Sequence, residues 1–430
     1  MPANLPSRIK QFASEAGFDL CGIAPVREFR EIEAFPAWIA AERHGEMRYL
    51  EARDEQGELK RASLARVAPW ARSVIVCAVN YNTAQPYSTQ TYDPGRGWIS
   101  RYAWSQADYH DSVLRRLREV ETCIKKELSA SDSENDRQRI DGRPAGAKAP
   151  VSAGRGGTAE AVPYPNPSFE ASPKRGLPTT NHYPPTTDYC FRSYVDTGPL
   201  VERVYAKYAG IGWIAKNTCI INQKLGSWLF LGVILTSLEL PADFPAADRC
   251  GSCTRCLDAC PTHAFVAPGE LDARLCISYL TIEKRGEIPE AIRAGMGRHV
   301  FGCDICQDVC PWNRKAPVTA APEFQAREGL VNPALDWLAE MQPEEFRSVF
   351  RGSPVKRTKL TGLRRNAVVA MGNSGDRKFV PTLKRLSEDA DSIVADHAQW
   401  ALARLMGDCG PRKDSGGDQV LGRARPSVVP

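Results

Sequence analysis

Residues 302–312 read GCDICQDVCPW, in which three cysteines follow the spacing C-x2-C-x3-C and a proline comes directly after the last. In bacterial two-cluster ferredoxins a proline likewise follows the cysteine that ends each cluster-binding run. A [4Fe-4S] cluster held by protein alone takes four thiolates. This stretch supplies three, so at least one ligand has to come from elsewhere in the chain.

Upstream, residues 250–261 read CGSCTRCLDACP, which is the complete C-x2-C-x2-C-x3-C-P run of bacterial ferredoxins. In that arrangement the first three thiolates hold one cluster and the fourth crosses to the other. Cys310 takes the equivalent place in the second stretch, because it too precedes a proline. The first cluster is therefore predicted to have four ligands, Cys250, Cys253, Cys256 and Cys310.

The second cluster then receives Cys260, Cys303 and Cys306, and still lacks one ligand. Only one other cysteine lies in this segment, Cys276 in the stretch LDARLCISYL. We therefore predict that Cys276 completes the second cluster, and that residues 246–318 form a bacterial two-cluster ferredoxin-like domain. The six remaining cysteines are expected to be buried small residues or surface thiols without a role: Cys21, Cys77, Cys123, Cys190, Cys219 and Cys409.

Two other interpretations of these cysteines stay open. Zinc also binds C-x2-C pairs, although zinc sites seldom have three cysteines at two consecutive x2 spacings and make no use of a following proline. The clusters could also belong to a dedicated electron-transfer protein, but the sequence before them is far longer than such a carrier needs. Paired clusters deliver electrons singly, so we expect an acceptor in the larger domain.

Composition and charge limit the class of protein. The chain has 430 residues, 43% of them hydrophobic, which suffices for two or three domains with real cores. Fourteen cysteines in a long chain whose start, MPANLPSRIKQ, shows no export signal indicate metal or redox chemistry rather than disulfides. The stretch WLFLGVILTSLEL is too short to span a bilayer, so we expect a cytoplasmic protein with no membrane partner. The net charge of +5 permits a nucleic-acid partner without requiring one.

The chain divides into a large domain, the cysteine-rich domain, a helical domain and a tail. Residues 1–245 alternate helical and strand patterns, such as SRIKQFASEAGFDLCGIAPV and SVIVCAVNYN, which indicates α/β organisation. Residues 129–188 contain nine prolines, six glycines and only three aromatic residues, and are predicted to be a disordered insertion. Residues 319–410 show three helical segments that resemble a HEAT-like repeat, and residues 411–430 are predicted to be a flexible tail. Basic residues of this repeat could face a nucleic acid or serve packing: Arg364, Arg365, Arg377, Lys378, Lys384 and Arg385.

Apart from the insertion and the tail, the chain resembles the epoxyqueuosine reductases over nearly its whole length. The resemblance rests on the stretches MRYL, ARSVIVCAVNYN, ISRYAWSQADYHDSVLRRL, YVDTGPLVERVYAKYAGIGWIAKNTC, CGSCTRCLDACPTHAFVAPGELDARLCISYLTIE and GCDICQDVCPWN. It implies an α+β multi-domain protein whose large domain binds cobalamin in a reductive-dehalogenase-like α/β fold. It also implies an oxidoreductase of queuosine biosynthesis that reduces epoxyqueuosine at the wobble position of tRNA, with electrons passing from two [4Fe-4S] clusters to cobalamin.

The resemblance also implies roles for single residues. Asp196 in YVDTGP is the implied proton donor to the epoxide oxygen, a role that at neutral pH needs burial to raise the pKa of its carboxyl group. From the residues alone, Asp196 could instead cap the helix PLVERVYAKYAG. The implied cobalamin contacts are Arg61, Ser100, Asp196, Ile220 and Ser278, and the implied tRNA contacts are Arg203 and Lys216. No D-x-H-x-x-G motif is present, so no histidine ligand to cobalt is expected.

A reductive dehalogenase is the nearest alternative activity, since it shares cobalamin and two clusters. That group resembles exported or membrane-associated enzymes, and the start of this chain shows no export signal. The expected partners are the anticodon stem-loop of a tRNA that carries epoxyqueuosine and an electron donor that the sequence does not identify. The protein is expected to be a monomer.

Overall fold

The computed structural model describes residues 4–141 and 189–407. These residues contain ten β-strands, β1 (Leu20–Pro25), β2 (Ser73–Asn80), β3 (Trp98–Ile99), β4 (Phe191–Tyr194), β5 (Trp213–Ile214), β6 (Ile220–Ile221), β7 (Leu229–Thr236), β8 (Phe265–Ala267), β9 (Glu270–Leu271) and β10 (His299–Phe301). They also contain fifteen α-helices, α1 (Leu5–Glu15), α2 (Arg30–Glu33), α3 (Phe35–Ala40), α4 (Leu64–Val67), α5 (Tyr109–Asp141), α6 (Glu202–Tyr208), α7 (Arg255–Asp258), α8 (Ile277–Ile282), α9 (Glu290–Arg293), α10 (Ile305–Asp308), α11 (Leu335–Ala339), α12 (Pro343–Val349), α13 (Lys359–Ser374), α14 (Val380–Leu386) and α15 (Ser392–Met406).

A four-stranded sheet in the order β1-β2-β7-β4 forms the centre of the region before the cysteines. Strand β2, SVIVCAVN, is buried along its whole length, as expected for a short continuous apolar run rich in β-branched residues. Its neighbour β7 pairs with it from Ser73 opposite Thr236 to Asn80 opposite Leu229. The strand predicted from SVIVCAVNYN is thereby confirmed.

Helices cover both faces of this sheet. On one face, Ile9 of α1 and Leu117 of α5 belong to the same apolar cluster as Ile75 of β2. On the other face, Val204 of α6 packs in a cluster with Val76 of β2. Ile75 and Val76 can serve opposite clusters because successive residues of a strand point to opposite faces. The sheet is therefore the middle layer of three.

The strands of this sheet run antiparallel throughout the described residues. The predicted alternation of helix and strand is present, but α/β organisation usually accompanies parallel strands joined by helical crossovers. The α+β class is the better description of the fold, because antiparallel pairing rather than parallel strands with helical crossovers builds the sheet.

Helix α5 continues to Asp141, so its last part, residues 129–141, falls within the predicted insertion 129–188. These residues, SASDSENDRQRID, are mostly polar but contain neither glycine nor proline. Once a helix exists, each further residue adds a hydrogen bond without a new nucleation cost, so polarity alone does not end it. The rest of the predicted insertion, residues 142–188, lies outside the described residues.

A parallel pair of short strands, β3 and β10, joins the region before the cysteines to the cysteine-rich segment. Ser100 directly follows β3 and Gly302 directly follows β10, so the pairing brings Ser100 to the loop that carries Cys303. Gly302 has φ +71, and a Cβ atom there would collide with Cβ of Ser100. Glycine is required at this position because the two backbones approach so closely.

The three helical segments predicted after the cysteines are present as α13, α14 and α15. They share one apolar cluster with β3 and β10, so they pack on the strand pair that leads to the cysteines. Their assignment to a HEAT-like repeat stays a prediction. The tail predicted for residues 411–430 lies outside the described residues, and no helix within them is long and apolar enough to cross a bilayer.

Two basic side chains of these helices serve packing rather than a nucleic-acid surface. Arg365 is fully buried and donates hydrogen bonds to the carbonyl oxygens of Leu280 at 2.8 Å and Gly286 at 2.7 Å. Arg364 donates to Asp389 at 2.5 Å. Burial lowers the pKa of Arg365 to about 10, which leaves it charged at neutral pH and held by carbonyl groups.

Candidate functional site

The thiols predicted to bind the first cluster lie together. Cys256, at the second position of α7, has three other cysteines as electrostatic neighbours, Cys310, Cys250 and Cys253. These are the three thiols that the spacing assigns to the same cluster. Burial raises the pKa of Cys256 to about 11, so the thiol is neutral until iron displaces its proton.

The thiols predicted for the second cluster form a separate group. Cys303 has Cys276 and Cys260 as electrostatic neighbours, and Cys306 has Cys303 and Cys276. Burial raises the pKa of Cys303 and of Cys276. The displaced cysteine, Cys276, is therefore beside the three thiols that the second cluster needs.

N–H groups point at several of these sulfur atoms. The indole Nε1 of Trp213 donates to Sγ of Cys250 at 3.4 Å, and the backbone N–H of Ala264 donates to Sγ of Cys260 at 3.3 Å. The backbone N–H groups of Ser278 and Tyr279, at the start of α8, donate to Cys276. Hydrogen bonds of this kind stabilise cluster-bound thiolates and tune the reduction potential. Across residues 4–141 and 189–407, no three Cys, His, Asp or Glu side chains come close enough together to hold a single metal ion.

A ninth cysteine, Cys219, lies beside the second group, although its position in the sequence predicts no role. Its thiol is hydrogen-bonded to that of Cys306, and this contact lowers the pKa of Cys219 to about 7. Asn217 fixes the loop, because its side-chain amide donates to the Cys306 carbonyl at 3.2 Å and its oxygen accepts from the Cys219 N–H at 3.2 Å. Only the folded chain brings this thiol to the others.

Asp196 lies in a tight turn directly after β4. Its φ of +57 is in the left-handed region, which residues other than glycine seldom adopt. The Thr197 N–H donates to the Val195 carbonyl at 2.7 Å across the turn. Such backbone outliers concentrate at functional sites, where the surrounding structure enforces them. The turn presents the Asp196 side chain outward, with 52% of it exposed, so the described residues do not provide the burial that its predicted role as acid needs.

Two side chains from the start of α5 contact the Asp196 carboxyl group. The hydroxyl of Tyr109 donates a hydrogen bond to Oδ2, and Nε2 of His110 lies 3.8 Å from the same oxygen. The other ring nitrogen of His110, Nδ1, lies 2.7 Å from Oδ1 of the buried Asp108. The imidazole of His110 therefore lies between the carboxyl groups of Asp108 and Asp196, with one ring nitrogen near each.

The interpretation of Asp196 as a helix cap is wrong. Helix α6 begins at Glu202, not at Pro199, and its N-cap residue is Val201, which provides no side-chain hydrogen bond. The six residues DTGPLV, 196–201, precede the helix and are not helical. The proline disfavours a helical conformation of the glycine before it, so the helix begins later. The Asp196 carboxyl group is thus free of a capping role.

A second carboxyl group, that of Glu202, lies close to Asp196. Its Oε1 atom is buried and has no hydrogen-bond partner among the described residues. Burial, with repulsion from Asp196 as the next cause, raises the pKa of Glu202 to about 7. The positive charges of Arg61 and Arg203 act to lower the pKa of Glu202. Sequence reasoning gave Glu202 no role, because a glutamate in an amphipathic helix is ordinarily a solvated surface residue.

The five predicted cobalamin contacts fall into two neighbouring places. Three of them lie next to the cysteines of the second group or to Cys219. The hydroxyl of Ser100 donates to Asp304, which follows Cys303. Ile220 follows Cys219, and the N–H of Ser278 donates to Cys276. Arg61 and Asp196 both act electrostatically on Glu202, which lies in the other place. The rings of Tyr102 and Tyr109, 6.0 Å apart, connect the places, because Tyr102 interacts electrostatically with Asp304 and with Asp196.

The two predicted tRNA contacts differ in their freedom. Arg203 is exposed and its guanidinium donates to the Thr218 carbonyl at 3.0 Å. The ammonium group of Lys216 donates to the carbonyl oxygens of Gly251 at 2.7 Å and Cys253 at 3.0 Å, beside the first thiol group. Lys216 therefore stabilises the loop that carries Cys250 and Cys253. The exposed guanidinium of Arg203 has further N–H groups that could donate to a phosphate.

An open cavity of about 520 Å³ lies on the surface near the start of this site. Its wall includes Lys60, which precedes Arg61, and Tyr194, two residues before Asp196. None of the predicted cofactor or tRNA contacts lines it. The chemistry-bearing residues thus lie beside this cavity rather than in it.

Two protein-family models match the chain. One, described as a 4Fe-4S double cluster binding domain, matches residues 249–313. The other, described as epoxyqueuosine reductase QueG, DUF1730, matches residues 61–138. The first match supports the prediction of two [4Fe-4S] clusters in the cysteine-rich segment, and the second includes Tyr109 and His110.

Similarity to known proteins extends over nearly the whole chain. The epoxyqueuosine reductase of Pseudomonas aeruginosa is 36% identical over 410 residues, which cover 94% of this chain and 95% of that protein. A crystal structure of an epoxyqueuosine reductase with an epoxyqueuosine-modified tRNA-Tyr stem loop aligns with a TM-score of 0.71 at 27% identity, covering 94% of this chain and 90% of the other. The epoxyqueuosine reductase of Bacillus subtilis, in a structure whose aspartate-bearing catalytic loop is swung out of the active site, aligns with a TM-score of 0.70 at 26% identity and the same coverage.

Proposed function

The chain belongs to the epoxyqueuosine reductase family of oxidoreductases, and on that basis we propose that it reduces epoxyqueuosine in tRNA to queuosine, with Asp196 as proton donor. The observation that carries the proposal is the placement of Asp196 within reach, through Tyr109 and Tyr102, of the loop that bears Cys303. A reductive step and a proton donor have to meet at one substrate. The family relationship supplies the identity of that substrate.

Two [4Fe-4S] clusters would be held by the two thiol groups. Cys250, Cys253, Cys256 and Cys310 are the proposed ligands of the first, and Cys260, Cys276, Cys303 and Cys306 those of the second. The mutual electrostatic neighbours of Cys256 and of Cys303 support this division. Trp213, Ala264 and the start of α8 direct N–H groups at three of these sulfur atoms, which favours their deprotonated, iron-bound form.

Cobalamin is the proposed acceptor of the electrons, and the residues present fit it. Its proposed contacts are Arg61, Ser100, Asp196, Ile220 and Ser278. The buried Oε1 of Glu202, without a partner among the described residues, is the kind of polar atom that a bound group would satisfy. When bound, cobalamin supplies a low-valent cobalt that acts as a nucleophile or reductant toward a strained epoxide.

Asp196 is the proposed general acid. The epoxide oxygen becomes basic as its bond to carbon breaks, and a carboxylic acid within hydrogen-bond reach can transfer a proton to it. Tyr109 holds Oδ2 of Asp196 and thereby orients the group. The Bacillus subtilis relative has a catalytic loop that bears an aspartate, and this supports the assignment of the same role to an aspartate here.

The proposed partner is the anticodon stem-loop of a tRNA. The relative crystallised with an epoxyqueuosine-modified stem loop supports this, since 94% of the present chain aligns with it. Arg203 is the better of the two proposed phosphate contacts, because its guanidinium is exposed whereas the ammonium of Lys216 is used by two backbone carbonyls.

The proposal is tested by mass analysis of tRNA nucleosides from cells that lack the gene for this chain. Epoxyqueuosine should accumulate, and the intact gene should clear it. A gene with Asp196→Asn should not clear it, whereas the matched control Asp111→Asn, an exposed aspartate on α5, should. Normal queuosine levels in the cells without the gene would contradict the proposed function.

A further inference from the structure

Reduction of an epoxide to an alkene consumes two protons as well as two electrons. Both C–O bonds break, the two electrons delivered through the clusters become the second bond between the carbons, and the oxygen leaves as water. Asp196 holds a single transferable proton, so after its first transfer it is a carboxylate. The second proton has to reach the same oxygen, which requires a group that reloads Asp196.

We propose that His110, held by Asp108, is the proton relay that reloads Asp196 during each reaction. This inference rests on the proposed function and extends it from one proton to two. Its basis is the position of the imidazole between the two carboxyl groups, with Nδ1 of His110 2.7 Å from Asp108 and Nε2 3.8 Å from Oδ2 of Asp196. His110 acts through Asp196 and does not itself touch the substrate.

Asp108 fixes the imidazole in the orientation that a relay needs. Its carboxyl group accepts Nδ1–H, so that Nε2 faces Asp196. A histidine whose two nitrogens contact two carboxyl groups can pass a proton from one side while the other side stabilises its cationic form. Although burial alone would raise it, the hydrogen bond to His110 lowers the pKa of Asp108 below its usual value, so Asp108 remains the acceptor at neutral pH.

The charged and titratable neighbours of the imidazole come from three elements. Asp108 and Tyr109 adjoin it in the chain, and the Tyr109 ring stacks on it with centroids 4.0 Å apart. Asp196 faces it from the turn after β4. Lys356 lies in the segment before α13. Its Nζ is 3.5 Å from Oδ2 of Asp108, so its ammonium group forms a second ion pair with that carboxylate. Two carboxyl groups and one ammonium group therefore lie around or next to the imidazole.

The proposed proton path reaches solvent at His110. The His110 side chain is 36% exposed, so water can return the proton after each transfer, whereas Asp108 is 8% exposed. In the proposed sequence Asp196 protonates the oxygen as the first C–O bond breaks. The Nε2–H proton of His110 then passes to the Asp196 carboxylate, directly or through one water. Asp196 gives this second proton as the oxygen leaves, and His110 is reprotonated from solvent.

The test uses the reconstituted holoenzyme, a chemical reductant and an epoxyqueuosine-containing stem-loop at saturating concentration. His110→Gln should lower the rate constant for queuosine formation about tenfold or more, since it removes a general acid–base group. The dissociation constant of the stem-loop and the midpoint of thermal unfolding should stay at the wild-type values. Asp111→Ala, the next residue along α5 and exposed, is the matched control and should react at the wild-type rate.

Chemical rescue separates a relay from a structural role. Added imidazole should restore much of the rate of His110→Ala and none of the rate of Asp196→Asn, because free imidazole can replace a proton carrier but not the terminal acid. A structural defect would not respond to imidazole in this way.

Failure of the relay and failure of the proposed function give different results. If wild-type protein makes no queuosine, the proposed function fails. If wild type is active and Asp196→Asn is not, while His110→Gln reacts at the wild-type rate, the relay is wrong. The relay is also wrong if Glu202→Gln alone produces the loss of rate, since the second proton then comes from Glu202. A slow His110→Ala that imidazole does not restore contradicts it as well.

Discussion

The cysteine-rich segment and the turn around Asp196 are built in opposite ways. In the segment, eight thiols lie from Cys250 to Cys310, and their spacing, with Cys276 added by elimination, predicts two groups whose members are neighbours in the folded chain. At the turn, Tyr109 is 87 residues from Asp196, and the insertion intervenes. The first region can be deduced because its geometry is local. The second depends on how β4 and α5 pack, so substitutions in it should act through neighbours that no spacing rule names.

The largest effect is expected for loss of a cluster ligand in the cysteine-rich segment, where the cysteine spacing gives the clearest prediction. Cys276→Ala should remove the second cluster, so that iron per chain falls from about eight to about four and reduction of epoxyqueuosine stops. The exposed Cys190 is the matched control, and Cys190→Ala should keep all its iron and its activity. Iron and sulfide analysis after anaerobic reconstitution measures this. A Cys276→Ala protein with its full iron would mean that another thiol, with Cys219 the nearest candidate, is the fourth ligand.

The next effect concerns stability and pH at Glu202. In the unfolded chain its carboxyl loses a proton near 4.5 and in the folded chain at about 7. Between these values the unfolded state binds fewer protons, so the free energy of unfolding of the wild type should fall relative to Glu202→Gln by about 3 kcal/mol, and the difference should stay constant above about pH 7.

Urea unfolding at several pH values measures this difference. Glu290→Gln is the matched control, because Glu290 is likewise the first residue of a short helix but is exposed. Its stability relative to the wild type should not change with pH in this window. A pH-independent difference for Glu202→Gln would contradict the burial of that carboxyl group.

A smaller effect is expected at Tyr109. Tyr109→Phe removes the hydrogen bond to Oδ2 of Asp196 and leaves the ring stacked on Phe230, whose centroid is 4.2 Å away. A hydrogen bond to a charged group contributes about 1.5–3 kcal/mol, so the rate of queuosine formation should fall about tenfold or more while stem-loop affinity is kept. Single-turnover kinetics measure both quantities. An unchanged rate would show that Asp196 is oriented without Tyr109.

The smallest effect is expected at the proposed tRNA contacts. Arg203→Ala should weaken stem-loop binding a few-fold and reduce the slope of log affinity against log salt by about 1. Lys224, which is exposed on the loop after β6, is the control, and Lys224→Ala should leave both unchanged. Binding titrations at three salt concentrations decide between them. An effect of equal size for both variants would indicate general attraction rather than a specific phosphate contact.

The difference between the two regions also explains what the sequence could predict. The central strands, the C-terminal helices and the grouping of the thiols follow from apolar runs, helical spacing and cysteine spacing, which are local signals. The end of α5 does not follow from them, because composition describes a segment and not the helix that it continues. The contacts of His110, Glu202 and Cys219 arise only from packing between distant elements, and each of these residues has an ordinary surface or core interpretation in the sequence.

The central assignment is that of Asp196 as the acid of an epoxide reduction. The direct measurement is the rate of queuosine formation by purified, reconstituted Asp196→Asn with a chemical reductant and the modified stem-loop, beside wild type and Asp111→Asn. We expect Asp196→Asn to bind the stem-loop as tightly as wild type and to form queuosine about 10² to 10⁴ times more slowly. Formation of queuosine by Asp196→Asn at the wild-type rate would contradict the account.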